Sequence, residues 1–452
     1  MTSAPAAGAR PPILTRMLPR QLPGLRLEKI APPLILLAGI LTPTGLQAQV
    51  GGLLLFPYRV ALIVLLPFLL LQMVRRGTRF NAVDWLILFL GGWTIVSMMA
   101  NSGILPGIED GGRTALDILV SYFIGRVYFA HPDQWRRFLS VSFLPICVVG
   151  AILLIESVTH RFIVTALFPL HFVPDQQLRM GLMRGLSVFP HQILAGMFFA
   201  SLFPLYYFAF RGTKGNGHRA TVGLFALFAV SSAAILSFLV ALALAIYVFV
   251  SRLTLKRLDW RPIVILGILA LLALQFGADG GAMRWIVRNL TLDPQTGYFR
   301  ILIWDFGSAS ALAHPWLGIG NESYERPVWM LTDSIDNYWL FLAMRFGMPA
   351  ALAATAAVFC TIALANRARR ALLPFDPARA DVFVGLIISL FCFWLLVWTV
   401  ALWDNVLSWF YLLLGVTVGM SATVISEIAA VQSRARRTAA PPPATLPSNK
   451  AR

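Results

Sequence analysis

Two long segments between apolar runs, residues 158–189 and 278–336, carry seven arginines and no lysine: Arg161, Arg179, Arg184, Arg284, Arg288, Arg300 and Arg326. A guanidinium is a fixed planar cation whose forked donors fit phosphate oxygens. The alternative for any single arginine is a headgroup contact by a snorkelling side chain. Arg184 and Arg300 are the better candidates, because each lies beside an apolar run and next to glycines or aromatics, where a lone charge is costly. Together they suit a clamp for a pyrophosphate held at a membrane surface. Arg179, Arg288 and Arg326 are further candidates for substrate binding. Asp336, in SIDNYWLFL, is a candidate general base, since a half-desolvated carboxylate has a raised pKa. The same position suits a helix N-cap, and position alone favours the cap. Glu322, Asp333 and Asp305 are weaker candidates for the base. His191, in FPHQILAG, is a candidate polar contact, whereas His314, in AHPWLGIG, is expected to shape a turn. No HExxH, CxxC or Ser–His–Asp order is present, and Gly318–Gly320 has no strand before it to make a nucleotide loop. Neither a metal nor a cofactor is expected.

The elements that must hold these residues are membrane helices. Of 452 residues 58% are hydrophobic and 13% charged, with a mean hydropathy of +0.74. Soluble domains carry about 25% charged residues. Apolar runs cover 31–47, 55–73, 82–100, 114–130, 137–157, 190–210, 219–232, 235–251, 262–277, 337–363, 381–401 and 405–426. Such long runs exclude a β-barrel, whose strands alternate over short segments. The expected fold class is an all-α integral membrane protein of about twelve transmembrane helices. The stretch 219–251 reads either as one re-entrant hairpin or as two short spans turning at Ser231–Ser232. Within 278–336, TGYFRILIWDFGSASAL has the periodicity of an amphipathic helix.

Charge sets the orientation. The clusters Arg75–Arg76–Arg79, Arg136–Arg137, Arg211–Lys214–Arg219, Arg252–Lys256–Arg257–Arg261 and Arg367–Arg369–Arg370–Arg379 share one side if every run spans once. The positive-inside rule makes that side cytoplasmic, with both termini inside. It also accounts for the net charge of +17 without nucleic acid. The four lysines, Lys29, Lys214, Lys256 and Lys450, all fall on that side. The expected layout is a disordered cytoplasmic tail over 1–30, helices over 31–277, a periplasmic loop over 278–336, helices over 337–426 and a second disordered tail over 427–452. Residues 1–30 lack the apolar core of a signal peptide. Cys147, Cys360 and Cys392 all lie in apolar runs and read as buried hydrophobes.

Four stretches carry a family resemblance. They are Arg300-Ile-Leu-Ile-Trp304, His314-Pro315-Trp316-Leu317-Gly318-Ile319-Gly320, Asp336-Asn337-Tyr338-Trp339-Leu340 and Arg345-Phe346-Gly347. They resemble the O-antigen ligase and Wzy-type polymerase superfamily of bacterial envelopes. Arg184-Gly185-Leu186-Ser187-Val188-Phe189-Pro190 is similar to that family's other arginine segment. The resemblance implies a GT-C type B-like bundle with a large periplasmic loop before the last three helices. It also implies inverting, metal-independent glycosyl transfer from a glycan on undecaprenyl pyrophosphate in the inner membrane. Arg184 and Arg300 would bind the pyrophosphate, and Trp304, Asn337 and Tyr338 would contact substrate. Ligases of the family carry His where this chain has Asp336, and an acidic residue is common where it has Arg345. Related peptidoglycan glycosyltransferases of the SEDS family carry an Asp so placed. The expectation is therefore a polymerase of repeat units, with a ligase onto lipid A core as the alternative. Expected partners are the lipid-linked glycan, membrane lipids, and the flippase and chain-length regulator of the same pathway. A transporter is disfavoured, because no acidic residue stands near the middle of a predicted span.

Overall fold

The computed structural model describes residues 30–50, 53–170, 176–212, 217–254, 258–279, 281–290, 294–330 and 333–439. All four lysines, nearly all of the first expected tail and half of the second lie outside the described residues. The chain is mainly helical. Helix α1 (Ala31–Ile40) leads through the hairpin β1 (Ala48–Val50) and β2 (Leu53–Leu55) into α2 (Pro57–Arg76), α3 (Ala82–Ser102), α4 (Ile104–Tyr128) and α5 (Pro132–Thr159). The short α6 (Ile163–Leu167) and the hairpin β3 (Leu178–Arg179) and β4 (Leu182–Met183) precede α7 (Gln192–Phe210). A 3-10 helix (Gly217–Ala229), α8 (Ser232–Thr254) and α9 (Arg261–Gly277) follow. Then come α10 (Gly281–Leu290), α11 (Pro294–Ala313), α12 (Tyr338–Phe346), α13 (Met348–Leu372), α14 (Pro377–Leu396) and α15 (Asp404–Ala439).

Eight of these helices are long and apolar enough to cross a membrane: α2, α3, α5, α7, α8, α13, α14 and α15. The other expected spans fold differently, for physical reasons. Helices α1 and α9 are short, and 17 residues of α9 rise only about 26 Å against a hydrocarbon core of about 30 Å. Helix α4 begins at Ile104, ten residues before the apolar run, which starts only after Glu109, Asp110 and Arg113 in the first turns. Residues 217–229 wind as 3-10, whose rise of about 2.0 Å per residue stretches a short segment. That segment breaks from α8 at Val230, which takes a left-handed φ of 42°. The expected amphipathic helix is α11. Helix α15 stays helical to Ala439, so the region expected as a tail from 427 is helical up to there.

Helix α15 is the spine of the bundle, packing along α4 and against α13. Its Gly415-Val-Thr-Val-Gly419 stripe lets α4 approach closely, since a Cβ on Gly415 would collide with the Tyr122 carbonyl. Helix α7 is nearly all buried among the 3-10 helix, α14 and α8. Helix α9 buries none of its residues and lies at the periphery.

Candidate functional site

Both arginine-bearing segments meet at one end of the bundle, around a cavity of about 210 Å³. It is lined by Gln177, Arg179, Arg184, His191, Ile193, Ser231, Ser232, Arg300, Asp336, Thr399, Val400, Ala401 and Trp403. Arg184 comes from the segment between β4 and α7, and Arg300 from α11. Both side chains are largely buried, with residue exposures of 7% and 8%. Arg184 Nη1 donates to Gln177 Oε1 at 2.7 Å. Arg300 Nε lies 3.9 Å from Asp336 Oδ2, an ion pair beyond hydrogen-bond reach.

Two helix N-termini open onto the same space. His191 is the N-cap of α7, and its Nδ1 accepts the Ile193 N–H at 3.2 Å. The proton of the neutral ring therefore sits on Nε2. Burial, then Arg184 and Arg300, push the His191 pKa down to about 4, so the ring is neutral at neutral pH. The Ser231 carbonyl accepts the Ile235 N–H, which starts α8 with Ser231 and Ser232 at the cavity wall. Helix N-termini carry partial positive charge. Among the described residues, three arginines, two such termini and one carboxylate line the cavity, an arrangement that suits an anion.

Asp336 is not the cap that its position favours. Asn337 caps α12, its Oδ1 accepting the Leu340 N–H at 3.0 Å. Asp336 is left facing the cavity with 40% of its side chain exposed. Burial pushes its carboxyl above the ordinary carboxylate range, and Arg300 pulls it back down. The Tyr338 N–H donates to the carbonyls of Val397 and Val400 at 2.9 and 3.2 Å, joining the start of α12 to the cavity-lining α14–α15 junction.

The far end of α12 is fixed by the Pro-x-x-Gly-x-Gly turn. Gly318 and Gly320 take left-handed φ values of 61° and 58°. The Ile319 and Gly320 N–H groups donate to the Met344 and Arg345 carbonyls at 2.8 and 3.1 Å. Arg345 Nη1 returns bonds to the carbonyls of Gly320 and Glu322 at 2.8 and 2.9 Å. Ser97 Oγ and Asn101 Nδ2, from α3, hold the Leu317 carbonyl at 2.6 and 2.9 Å. This turn docks the helix that presents Asp336. His314 lies at its start, with the Gly318 N–H donating to the His314 carbonyl at 3.1 Å.

Of the sequence candidates, Arg179, Arg184, His191, Arg300 and Asp336 share the main cavity. Trp304 and Asn337 line a small side pocket with Arg300, Asp336 and Trp398. The main cavity does not include Arg288, Arg326 or Tyr338. Arg288 is exposed on α10. Arg326 Nε donates to the Met330 carbonyl at 3.0 Å. Tyr338 is buried, its hydroxyl 3.0 Å from that of Tyr411. Asp305 pairs with Arg284 at 2.9 Å, and Asp333 accepts from Ser323 Oγ at 3.3 Å. Gln177, Ser231, Ser232, Thr399 and Trp403 also line the cavity, and of these only the Ser231–Ser232 turn carries a sequence signal.

Asp117 stands in the middle of α4, one turn into the apolar run 114–130. It takes a bidentate pair from Arg59, Nε to Oδ1 at 3.0 Å and Nη2 to Oδ2 at 2.5 Å, with both side chains buried. Tyr58 Oη donates to Asp117 at 3.2 Å and lies 3.4 Å from Asp404, the residue after Trp403. Residues 220–355 match the O-antigen ligase family. That span holds α8 to α12, Arg300, Asp336 and the docking turn, and is less than half of the chain. The match supports the resemblance read from the motifs, and with it a multi-pass membrane enzyme of the O-antigen ligase or polymerase type. No curated protein matches the chain.

Proposed function

We propose that the chain polymerises undecaprenyl-pyrophosphate-linked oligosaccharide repeat units into exopolysaccharide, capsule or O-antigen. The observation that carries this reading is the convergence of Arg184, Arg300, His191 and Asp336 on one cavity. Asp336 takes the proton of an acceptor hydroxyl, and that oxygen attacks the anomeric carbon of the donor. The bond from that carbon to the pyrophosphate breaks in the same displacement, which inverts the centre. Negative charge grows on the leaving pyrophosphate, where Arg184, Arg300 and Arg179 stabilise it without a metal. Neutral His191 donates its Nε2–H to a donor oxygen. The N-terminus of α8 adds its dipole.

In this reading the cavity end faces the periplasm and both termini lie in the cytoplasm of an inner-membrane protein. The basic clusters at the opposite end support it. A flippase would deliver the donor and a chain-length regulator would act on the product. The test gives purified protein lipid-linked repeat units and reads product length on a gel. Chain growth that is lost in Arg184→Ala and Arg300→Ala is expected. No growth in the wild type, or growth unchanged in both variants, sinks the reading.

The matched family favours a second reading, a ligase that moves a finished glycan onto lipid A core. A deletion strain separates the two. Loss of a polymerase leaves single repeats, whereas loss of a ligase leaves long chains on the lipid carrier.

A further inference from the structure

Arg184 reaches the cavity from a stretch that has no helix or strand to hold it. Yet Arg184 to Val188 is fixed at every step. The Arg184 N–H donates to the Gln177 carbonyl at 3.1 Å, and the Gly185 N–H to the Phe228 carbonyl at 3.2 Å. Ser187 Oγ donates to the Val149 carbonyl at 3.0 Å, and the Val188 carbonyl accepts the Thr44 N–H at 3.2 Å. At the centre is Glu156, near the end of α5 and 0% exposed. Its Oε2 accepts the N–H groups of Leu186 and Ser187 at 3.1 and 2.7 Å. Its Oε1 accepts those of Ile163 and Val164 at 2.9 and 3.2 Å. A carboxylate has about four acceptor sites, and here four backbone donors use them. Ser187 holds a left-handed φ of 53°, a conformation that a non-glycine residue keeps only when its surroundings impose it.

We propose that Glu156 is the positioning residue for Arg184, fixing the 184–188 segment so that the guanidinium faces the cavity. Buried acidic side chains in membrane helices are costly and need such a compensation. This role rests on reading the cavity as a pyrophosphate site, but the hold on the segment does not. Glu156→Met keeps the side-chain length and removes all four acceptor sites. Glu156→Gln keeps one oxygen and half of the bonds, and it carries the test if the Met variant does not fold.

The experiment uses the full chain in nanodiscs. Undecaprenyl pyrophosphate binding is measured for the wild type, Arg184→Ala, both Glu156 variants and the Glu156→Gln/Arg184→Ala double variant. Hydrogen exchange is followed in the same samples. Arg184→Ala should weaken binding about tenfold or more, as expected for a charge-assisted bond. Glu156→Met should match it, and Glu156→Gln should fall between. The double variant should be no weaker than Arg184→Ala alone, because Glu156 acts through that side chain. Exchange should rise at 163–164 and 186–187 and stay slow in α7 and α15. Wild-type binding by Glu156→Gln with unchanged exchange overturns the proposal. So does an additive loss in the double variant. Equal binding by the wild type and Arg184→Ala refutes the pyrophosphate reading instead, and exchange at 186–187 then decides alone whether Glu156 holds the segment.

Discussion

At the end of the bundle where α3, α5 and α14 begin, arginines close onto carboxylates. Arg126 Nε lies 3.1 Å from Asp84, Arg379 Nη2 lies 2.6 Å from Asp133, and Arg252 takes both oxygens of Asp381 at 3.0 and 2.6 Å. Each pair ties two helices together. At the end where α7 and α8 begin, Arg179, Arg184 and Arg300 line a cavity whose wall, among the described residues, includes the carboxylate of Asp336. A guanidinium closed onto a carboxylate fixes structure. Several guanidiniums lining an open space present forked donors that fit an anionic ligand. The two ends use the same side chain, and what differs is whether it lines an open space.

The largest effect expected from this contrast is on stability. Asp84 is fully buried, accepts from Tyr122 Oη at 2.7 Å and pairs with Arg126. Asp84→Ala should cost about 3–5 kcal/mol, the usual cost of breaking a buried pair. The folded fraction should keep its specific activity. A denaturation series in detergent with an activity assay reads both, and a fully stable, inactive variant would break the comparison. At the other end, Arg300→Ala should lower kcat/KM by about 10²–10³-fold, as for a lost oxyanion donor. Its stability should change little. Arg300→Lys should recover only part of the rate, since a lysine lacks the fork.

Next is the pH profile. A general base works only when deprotonated, so the rate falls as pH drops through its pKa. Burial raises the Asp336 pKa, which moves this acid limb above the ordinary carboxylate range. Asp336→Asn should lower kcat about 100-fold and flatten the limb. His191, with its pKa near 4, does not make such a limb at higher pH. A variant that keeps both rate and limb would remove Asp336 from the chemistry.

The sequence made the cavity end partly legible. Arginine without lysine in two separate segments was a compositional signal, and Arg184 and Arg300 now face one space. Charge in an apolar setting is expensive, so it marks itself. Helix runs were legible for the same reason, while the full extent of α4 was not, because its charged turns hide from hydropathy. Distance across the chain was not legible. Nothing in ILLIESVTH says that Glu156 binds residues thirty positions later, and nothing near Arg59 names Asp117. Those contacts depend on helix packing rather than local pattern. The cap at α12 shows the limit at one-residue scale, because both Asp336 and Asn337 are good cap residues and only geometry assigns the role.

That cap supplies the smallest prediction. Asn337→Ala removes the bond to the Leu340 N–H and should cost about 1 kcal/mol of stability. Helix α12 has nine residues, and its C-terminal end is pinned by the Gly318–Gly320 turn. The loosened end is therefore the one beside Asp336, and kcat should fall about fivefold, the rate equivalent of 1 kcal/mol. Asn337→Ser restores a cap and should restore the rate. At the opposite end Asn81 caps α3 by the same chemistry, accepting from the Val83 and Asp84 N–H groups at 2.8 and 3.1 Å. Asn81→Ala should cost a similar stability and leave kcat alone. If both variants lower kcat equally, the α12 cap acts through general stability, and the contrast between the two ends fails at this scale.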